Sequence, residues 1–376
     1  LKPFWLKRRR AHLRRRSADR ARDGLRSRGM PPRAALLACA AAAASGARLC
    51  PEGACLGSAL QRGAAWGTGW PEVYWWQFPP AEVLKRDADT YVAVLRCGEF
   101  WPEEAVLKVL WWGREPSYRL AFVRELSMTV RFASHPSFVH LIAYMRGDDA
   151  VAMLFERAWG DLWRWSSEHS YTALEEHARR TLLSDILSGI AHLHGHGVLH
   201  ADVKLDNVFV FRGPGGAWRA KLADLGRSCD LSGLTGDACG DLVFAPAVRP
   251  PEVDAAFVGG RLARIEPWAF TAAVGAAADM WALGVSLYFL MFLRLPWAED
   301  DAFSVRYAAV EAYLSDEWTH GVAPWERGLL RCLLRPAPAE RCSAVQALDV
   351  VHGHWGSAAS PLDSRVRLLA RASEHT

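Results

Sequence analysis

Asparagine is almost missing from this chain of 376 residues, in which Asn207 is the single example. Lysine is also scarce, because 39 of the 45 basic residues are arginine and only six are lysine. We interpret this skew as a compositional bias and not as a structural demand. A position that keeps Lys or Asn is therefore one where arginine or another favoured residue does not do the same job. Since Asn207 is followed by Val-Phe, the chain has no N-glycosylation sequon.

Cysteine patterns that bind metals are lacking as well. The eight cysteines are scattered, and none of them forms a CxxC pair or a Cys/His cluster with zinc spacing. This excludes the common structural zinc modules. We expect ordinary buried or surface thiols, with a Cys50–Cys55 pair as an alternative in a secreted chain.

Positive charge is concentrated at the N-terminus. Residues 1–33 carry thirteen Lys or Arg and two Asp, a net charge of +11, so the remaining chain carries 4 − 11 = −7. A basic run of low complexity is typical of a solvated, disordered arm, and a nuclear signal or nucleic-acid arm is the alternative. Because the rest is mildly acidic, we expect no specific nucleic-acid partner.

The stretch 34–83 is rich in Ala, Gly and Trp and is interpreted as an extension. Within it, the segment 30–50 resembles a short secretory signal if Met30 is the true start, although the alanine bias alone also explains it. Both interpretations stay open. We expect an intracellular protein by default and a secretory route in the first case, and the sequence gives no oligomeric state.

From about residue 84 the pattern becomes that of a folded domain. Strands are predicted over TYVAVLRC, EEAVLKVLWW and DAVAMLFERA, and helices over 117–134, over 172–197 and through much of the chain beyond 240. Thr172 and Glu175 are predicted to form a capping box for the second helix. Strands followed by helices predict an α+β protein with a small sheet lobe and a larger, mainly helical lobe.

One segment, 270–293, is almost continuously apolar. A membrane-spanning helix is the obvious alternative, but Asp279 lies inside it, and a lone carboxylate is costly in lipid. We therefore predict a buried core helix and no transmembrane helix, on the condition that Asp279 has hydrogen-bond partners.

A lysine and a carboxylate suggest a phosphate site in the strand-rich part. Lys108 closes the strand AVLKV, and Glu125 follows 17 residues later on the next predicted helix. An ammonium group that is fixed by a carboxylate makes a well-positioned phosphate ligand.

A second set of polar residues, in the stretch HADVKLDN and just after it, has the chemistry that phosphoryl transfer needs. Asp202 is predicted to orient a hydroxyl and accept its proton, and Lys204 to neutralise the transferred phosphate. Asn207 and Asp224 offer hard oxygen ligands of the kind that Mg²⁺ prefers.

With these motifs in this order, the sequence resembles the eukaryotic protein kinase family over roughly residues 84–355, followed by a tail at 356–376. HADVKLDN resembles the catalytic loop, DLG at 224–226 is similar to the magnesium-binding motif, and RPPE, DMWALG and PAPAERCSAVQAL resemble motifs of the helical lobe. The resemblance implies a bilobal fold, with a small antiparallel-sheet lobe that carries helix C and a larger helical lobe.

The resemblance also implies site residues and cofactors, namely ATP and Mg²⁺. The nucleotide-binding residues would be Lys108, Glu125, Val92, Val106, Glu156 and Ala158; the catalytic residues Asp202 and Lys204; and the metal ligands Asn207 and Asp224. Phe155 would be the gatekeeper, and Arg341 the buried partner of Glu252.

Two departures from the family pattern concern regulation and nucleotide binding. Ala201 stands where many kinases have an Arg that pairs with a phosphorylated activation loop, so we expect any activity to be independent of that phosphorylation. The expected glycine-rich loop, at 84–95, contains no glycine, while 62–70 is glycine-rich but lies far from Lys108. A glycine-free loop is similar to that of the with-no-Gly-loop kinases, a branch near the rhoptry kinases.

The leading functional hypothesis is a kinase that transfers the γ-phosphoryl group of Mg-ATP to protein hydroxyls. Lys204, two positions after Asp202, implies Ser/Thr substrates. The alternative is a pseudokinase that acts as a binding or scaffold module. A small-molecule kinase of the same broad fold is a third possibility, which the helical-lobe motifs disfavour.

Overall fold

The computed structural model describes residues 80–87, 89–96, 104–112, 116–146, 150–231, 244–254, 257–258, 261–262, 272–297, 310 and 322–353. The predicted arm 1–33, the signal-like segment 30–50, most of the extension and the tail 356–376 lie outside the described residues. The described residues form two compact units. The first runs to Trp159 and also includes Ala223–Gly226, and the second comprises the rest from Gly160 onward.

The first unit is built on a five-stranded antiparallel sheet in the order β1-β2-β3-β5-β4. Its elements are β1 (Pro80–Arg86), β2 (Thr90–Arg96), β3 (Glu104–Trp111), α1 (Pro116–Phe132), β4 (Leu141–Arg146) and β5 (Ala150–Glu156). The sheet therefore starts four residues before the predicted domain boundary at residue 84. The three strands and the helix that the sequence predicts in this part are confirmed.

Alternation along β3 gives this sheet two apolar faces. On one face, Leu110, Met153 and Leu141 are buried against helix α1, which contributes Leu126 and, at helical spacing, Val130. The opposite face carries a second buried cluster, Tyr91, Ala93, Leu95, Leu107, Val109 and Ala152. With both faces buried, β3 is the rigid centre of this unit.

The second unit is mainly helical. Its elements are β6 (Gly160–Asp161), α2 (Leu162–Glu168), α3 (Glu176–Gly195), β7 (Val198–Leu199), β8 (Val208–Arg212), β9 (Trp218–Leu222), β10 (Cys229–Asp230), α4 (Pro251–Asp254), β11 (Phe257–Val258), β12 (Arg261–Leu262), α5 (Ala272–Phe292), α6 (Pro324–Leu333) and α7 (Ala344–His352). Short antiparallel pairs join β7 to β10, β11 to β12, and β8 to both β6 and β9. The predicted α+β class, with a small antiparallel sheet and a larger helical part, is confirmed.

Helix α3 begins later than predicted, and its predicted capping box does not form. Glu175 is the N-cap and makes no side-chain cap hydrogen bond, while the hydroxyl of Thr172 lies 3.1 Å from that of Ser170. Leu182, Ile186 and their neighbours at helical spacing are fully buried, as the periodicity predicts. Packing of the apolar face therefore stabilises this helix without a side-chain cap.

Helix α5 lies in the core of the second unit. Within the described residues its stretch Val274–Phe292 is the one helical segment long and apolar enough to cross a bilayer, but 83% of the apolar window is buried inside the protein. Asp279 is fully buried and accepts hydrogen bonds from the main-chain N–H groups of His200 and Ala201, both 2.8 Å away. These partners meet the condition on which a core helix was predicted.

Three of the described cysteines differ from the expectation of free thiols, because Cys229, Cys332 and Cys342 are all disulfide-bonded. Cys332 near the end of α6 and Cys342 just before α7 form a disulfide, with their Cα atoms 5.4 Å apart. The sequence spacing alone carries no signal for this pair, because the chain reversal after α6 brings the two residues together.

Candidate active site

Lys108 lies on the central strand of the first unit. It pairs with Val92 on β2 and Met153 on β5, on the sheet face that packs against α1. Its Nζ donates to Oε1 of Glu125 on α1 at 2.5 Å and to Oδ1 of Asp224 at 3.3 Å. The fold thus brings together three of the predicted site residues, which are separated by up to 116 positions in the sequence.

Burial and charge act in opposite directions on this ion pair. Burial alone would lower the pKa of Lys108, but the carboxylates of Asp224 and Glu125 outweigh it and raise that pKa above its ordinary value. For Glu125, which is 6% exposed, burial raises the pKa and the charge of Lys108 opposes the rise. The result is a lysine that stays cationic near neutral pH, as a phosphate ligand must.

Asp224 and Gly226 are held in unusual surroundings. Asp224 has φ of 62°, in the left-handed region that non-glycine residues seldom adopt, and its side chain is 45% exposed. A Cβ atom on Gly226 would lie 2.8 Å from Oε2 of Glu125. The glycine of the DLG motif therefore leaves room for Glu125 in its present position.

Three of the predicted nucleotide-binding residues, Lys108, Val92 and Val106, lie on one sheet face. Val92 is directly paired with Lys108, and Val106 with the predicted gatekeeper Phe155, so all four side chains share a face. Val92 and Val106 are partly buried. They can present an apolar surface beside the lysine.

Glu156 and Ala158 lie at and just beyond the end of β5. The carboxylate of Glu156 accepts from the main-chain N–H of His140 at 2.7 Å, and its own N–H donates to the carbonyl of His140 at 3.1 Å. The side chain and the main-chain N–H of Glu156 thus both bind to His140, which fixes the end of β5. Ala158 lies in the irregular segment after β5 and is partly buried.

The other predicted group lies in the second unit, between β7 and β8. Lys204 Nζ donates to Oδ2 of Asp202 at 2.5 Å. Asn207 Nδ2 donates to the same Oδ2 at 2.9 Å and to the main-chain carbonyl of Asp202 at 2.8 Å. Both contacts use Oδ2, so Oδ1 of Asp202 remains for a substrate hydroxyl, and the amide oxygen of Asn207 remains for a metal ion.

A comparison with protein families gives these two groups a context. Residues 103–352, more than half of the chain, match the family model described as the protein kinase domain. The chain belongs to the protein kinase family. This confirms the predicted superfamily and fold, whereas the similarity to with-no-Gly-loop kinases stays a prediction.

Curated protein kinases and kinase-like proteins are similar to this chain at modest identity. Calcium-dependent protein kinase 8 of Arabidopsis thaliana is 29% identical over 232 residues, which is 60% of this chain and 39% of that protein. Tribbles homolog 1 of Mus musculus is 29% identical over 219 residues, 58% of this chain and 54% of that protein. Serine/threonine-protein kinase PLK4 of Nematostella vectensis is 27% identical over 217 residues, which is 57% of this chain and 20% of that protein. The chain spans about half or less of the length of these relatives.

In the second unit, Asp279 anchors the stretch just before Asp202. Besides the N–H groups of His200 and Ala201, the carboxylate lies 2.9 Å from Nε2 of His194. Ala201 has φ of 58° and is buried. The carboxylate of Asp279 thus holds the main chain immediately before Asp202 in this conformation.

The predicted ion pair of the helical part is also present. Arg341 donates two hydrogen bonds to the carboxylate of Glu252, at 2.6 and 2.7 Å. Such a bidentate arrangement fixes the direction of the guanidinium as well as its distance. It ties α4, which carries Glu252, to the loop before α7.

The stretch predicted to replace the glycine-rich loop is a tight hairpin turn between β1 and β2. Asp87 N–H donates to the carbonyl of Thr90 at 2.8 Å, and the Thr90 hydroxyl donates to Asp89 Oδ1 at 3.3 Å. Lys85 lies 2.8 Å from Asp87, and both side chains are about half exposed. The alternative glycine-rich stretch 62–70 lies outside the described residues.

The donor set can be tested against the magnesium that the family uses. Among the described residues, no three His, Cys, Asp or Glu side chains gather into a metal site. Magnesium needs no such cage, since it is held by one or two protein oxygens together with phosphates and water. Asp224 in the first unit and Asn207 in the second each offer an oxygen of this kind, so the chemistry of each residue by itself fits the ion.

Sequence reasoning missed two functional positions. For Asp279 it required only hydrogen-bond partners. A lone carboxylate in an otherwise apolar helix is itself a signal that the carboxylate accepts from main-chain N–H groups, here those of His200 and Ala201. Sequence reasoning treated Gly226 as part of a motif, whereas the structure places this glycine where a Cβ atom would crowd the Glu125 carboxylate, and no local sequence signal shows that.

Proposed function

We propose that this protein is a Ser/Thr protein kinase that transfers the γ-phosphoryl group of Mg-ATP to protein hydroxyls. The observation that carries the proposal is the position of Lys108, held at 2.5 Å by Glu125 and at 3.3 Å by Asp224. A cation fixed by two carboxylates on rigid elements is preorganised for phosphates. Membership of the protein kinase family supports the same reaction.

Each residue has a distinct task in the proposed reaction. Lys108 binds the phosphates, while the oxygens of Asp224 and Asn207 hold Mg²⁺. Bound Mg²⁺ neutralises charge on the phosphates. Asp202 Oδ1 accepts a hydrogen bond from the substrate hydroxyl and takes its proton, and Lys204 stabilises the charge on the transferred group.

The preference for Ser/Thr rests on Lys204. It lies two residues after Asp202 and its Nζ contacts the Asp202 carboxylate directly. A compact ammonium at that place is the family pattern of serine/threonine kinases, and the relative from Nematostella vectensis is named a serine/threonine-protein kinase. The protein substrate is a further question, to be settled with a peptide library.

A pseudokinase is the second candidate, and the β1–β2 turn is the observation that favours it. Asp87 and Asp89 bring negative charge to the turn that in the family covers the phosphates. Like charges would weaken nucleotide binding. In that case the unit built around Lys108 would serve as a scaffold.

Phosphotransfer from labelled ATP with Mg²⁺ tests the proposal, with the wild type compared with Asp202→Asn and Asp224→Asn. We expect the wild type to label a mixture of Ser/Thr peptides. Both variants should transfer phosphate at least about a hundredfold more slowly. Glu168→Gln is a matched control, because this exposed carboxylate pairs only with Arg164 on its own helix. Equal background labelling in all four proteins would overturn the kinase proposal. A thermal shift with Mg-ATP would then separate a nucleotide-binding pseudokinase from an inert scaffold.

A further inference from the structure

The disulfide between Cys332 and Cys342 closes a short loop between α6 and α7. Cys332 lies on the last turn of α6 and Cys342 lies two residues before α7. Their Cα separation of 5.4 Å is ordinary for a disulfide, and the N–H of Cys342 donates to the carbonyl of Cys332 at 3.2 Å. The main chain is therefore already clamped at this point, and the two sulfur atoms meet there without rearrangement of the backbone.

The loop closed by these cysteines contains Arg341, whose guanidinium is extensively hydrogen-bonded. Arg341 uses all five of its N–H donors. Nε donates to the carbonyl of Arg335 (2.6 Å), Nη2 to that of Pro336 (2.9 Å) and Nη1 to that of Ala277 (3.0 Å). The other two donors go to the carboxylate of Glu252, and the guanidinium side chain is fully buried.

Two of these acceptors, the carbonyls of Arg335 and Pro336, belong to the closed loop itself. The geometry points to a redox-controlled modification site: we propose that reversible oxidation of Cys332 and Cys342 sets how firmly Arg341 holds Glu252 and thus α4. With the disulfide formed, the two carbonyl acceptors and the Arg341 side chain all belong to the covalently closed loop 332–342. With the thiols reduced, only the hydrogen bonds keep the loop closed.

The exposure of the two sulfur-bearing residues fits an exchange reaction. Cys332 is partly exposed, and Cys342 is 5% exposed. The Cys332 thiolate attacks one sulfur of glutathione disulfide. This forms a mixed disulfide between Cys332 and one glutathione and releases the other glutathione as a thiolate. The Cys342 thiolate then attacks the Cys332 sulfur and releases the second glutathione thiolate. Two electrons pass from the cysteine pair to glutathione disulfide, and two protons leave the thiols.

The test needs no catalytic activity, so its outcome is separate from that of the proposed kinase function. The full chain is equilibrated with reduced or with oxidised glutathione, alkylated, and analysed by peptide mass spectrometry, thermal unfolding and hydrogen exchange. We expect Cys332 and Cys342 to be joined only in the oxidised sample, with Tm higher by about 6 °C. We also expect exchange in the peptide that covers α4 to be about tenfold slower in that sample, a change that a merely global effect would not confine to α4.

Cys332→Ser is the control, since a partly exposed side chain tolerates the change and the other cysteines stay in place. Because Cys229 is also disulfide-bonded, the readout that decides is exchange in α4, which in Cys332→Ser is expected to match that of the reduced wild type in both buffers. The proposal is wrong if both residues are alkylated in the oxidised sample, or if the redox response of α4 persists in Cys332→Ser. It is also wrong if the disulfide forms but exchange in α4 stays the same.

Discussion

Lys108 and Glu125 are 17 residues apart in the chain, and Nζ of the first lies 2.5 Å from Oε1 of the second. One belongs to the central strand β3 and the other to helix α1, which packs on the same sheet face. Because both residues stand on rigid elements, the direction of the ammonium group is fixed before any ligand arrives. The exposed carboxylate of Asp224 then completes a site with one cation and two anions.

Replacing Glu125 by Gln tests this arrangement. The amide keeps the shape but loses the charge, so Lys108 retains Asp224 alone and its position is no longer fixed. We expect affinity for ATP, measured by titration calorimetry, to fall about tenfold, and kcat/KM to fall about a hundredfold. Glu168→Gln, an exposed carboxylate on α2, serves as the control. Unchanged affinity in Glu125→Gln would show that the ion pair does not position the phosphates.

Gly226→Ala probes the space beside the same glutamate. The new methyl group would lie 2.8 Å from Glu125 Oε2, closer than Cβ atoms approach oxygen. We expect Glu125 to be displaced and kcat/KM to fall at least about tenfold. In the Glu125→Ala background the clash is gone, so the additional effect of Gly226→Ala should disappear. Strictly additive losses in the double variant would contradict this explanation.

Asp279→Asn tests the anchor below the catalytic loop. The carboxylate is fully buried and accepts from two main-chain N–H groups and lies 2.9 Å from His194. Each carboxylate oxygen accepts from one of the two main-chain N–H groups, whereas asparagine has one acceptor oxygen and an NH₂ group in place of the other, so one N–H loses its acceptor. We expect the free energy of unfolding to fall by about 3 kcal/mol, measured by urea denaturation. A loss below about 0.5 kcal/mol would mean that His200 and Ala201 do not depend on Asp279.

The sequence alone predicts the parts of this protein that depend on local chemistry. Alternation and helical spacing give the strands and helices around Lys108 and Ile186, because burial of one face leaves a period in the sequence. The scarcity of asparagine marks Asn207, and that of lysine marks Lys108 and Lys204. The order of these residues along the chain predicts which of them act together.

Contacts set by long-range packing leave no such trace. The crowding of Gly226 by Glu125 and the pairing of Cys332 with Cys342 depend on how distant segments meet. The capping box predicted at Thr172 fails for a related reason: tertiary packing of α3 determines where that helix begins, and local capping signals are overridden. The crowding, the disulfide and the true start of α3 therefore follow from the tertiary structure and not from any local stretch of the sequence.

Tyr171 makes a pH-dependent contribution to stability. Its hydroxyl donates to Glu326 at 2.9 Å, and Arg179 Nε donates to the same carboxylate oxygen at 2.9 Å. Burial raises the pKa of Tyr171 well above its ordinary value, and Glu326 raises it further. Above about pH 10 the unfolded chain loses the phenolic proton and the folded chain keeps it. The contribution is therefore complete below that pH and is lost as the pH rises toward the folded pKa.

The variant Tyr171→Phe measures this contribution. We expect it to be less stable than the wild type by about 1 kcal/mol at pH 7 and at pH 9, in urea denaturation. The difference should shrink at pH 10.5, because only the wild type has a phenol to titrate. A difference that stays constant from pH 7 to pH 10.5 would contradict the raised pKa.

Ala201 stands where many kinases have an arginine that pairs with a phosphorylated activation loop, so this residue bears on regulation. It is buried with φ of 58°, and its N–H donates to Asp279. The small side chain offers no guanidinium to pair with a phosphorylated loop residue, so the catalytic loop has no receiver for that charge at this position. We expect protein treated with phosphatase and untreated protein to phosphorylate a Ser/Thr peptide at rates within about twofold of each other. Asp202→Asn, treated in the same way, shows the background. A tenfold drop after phosphatase treatment would mean that another basic residue receives the phosphate.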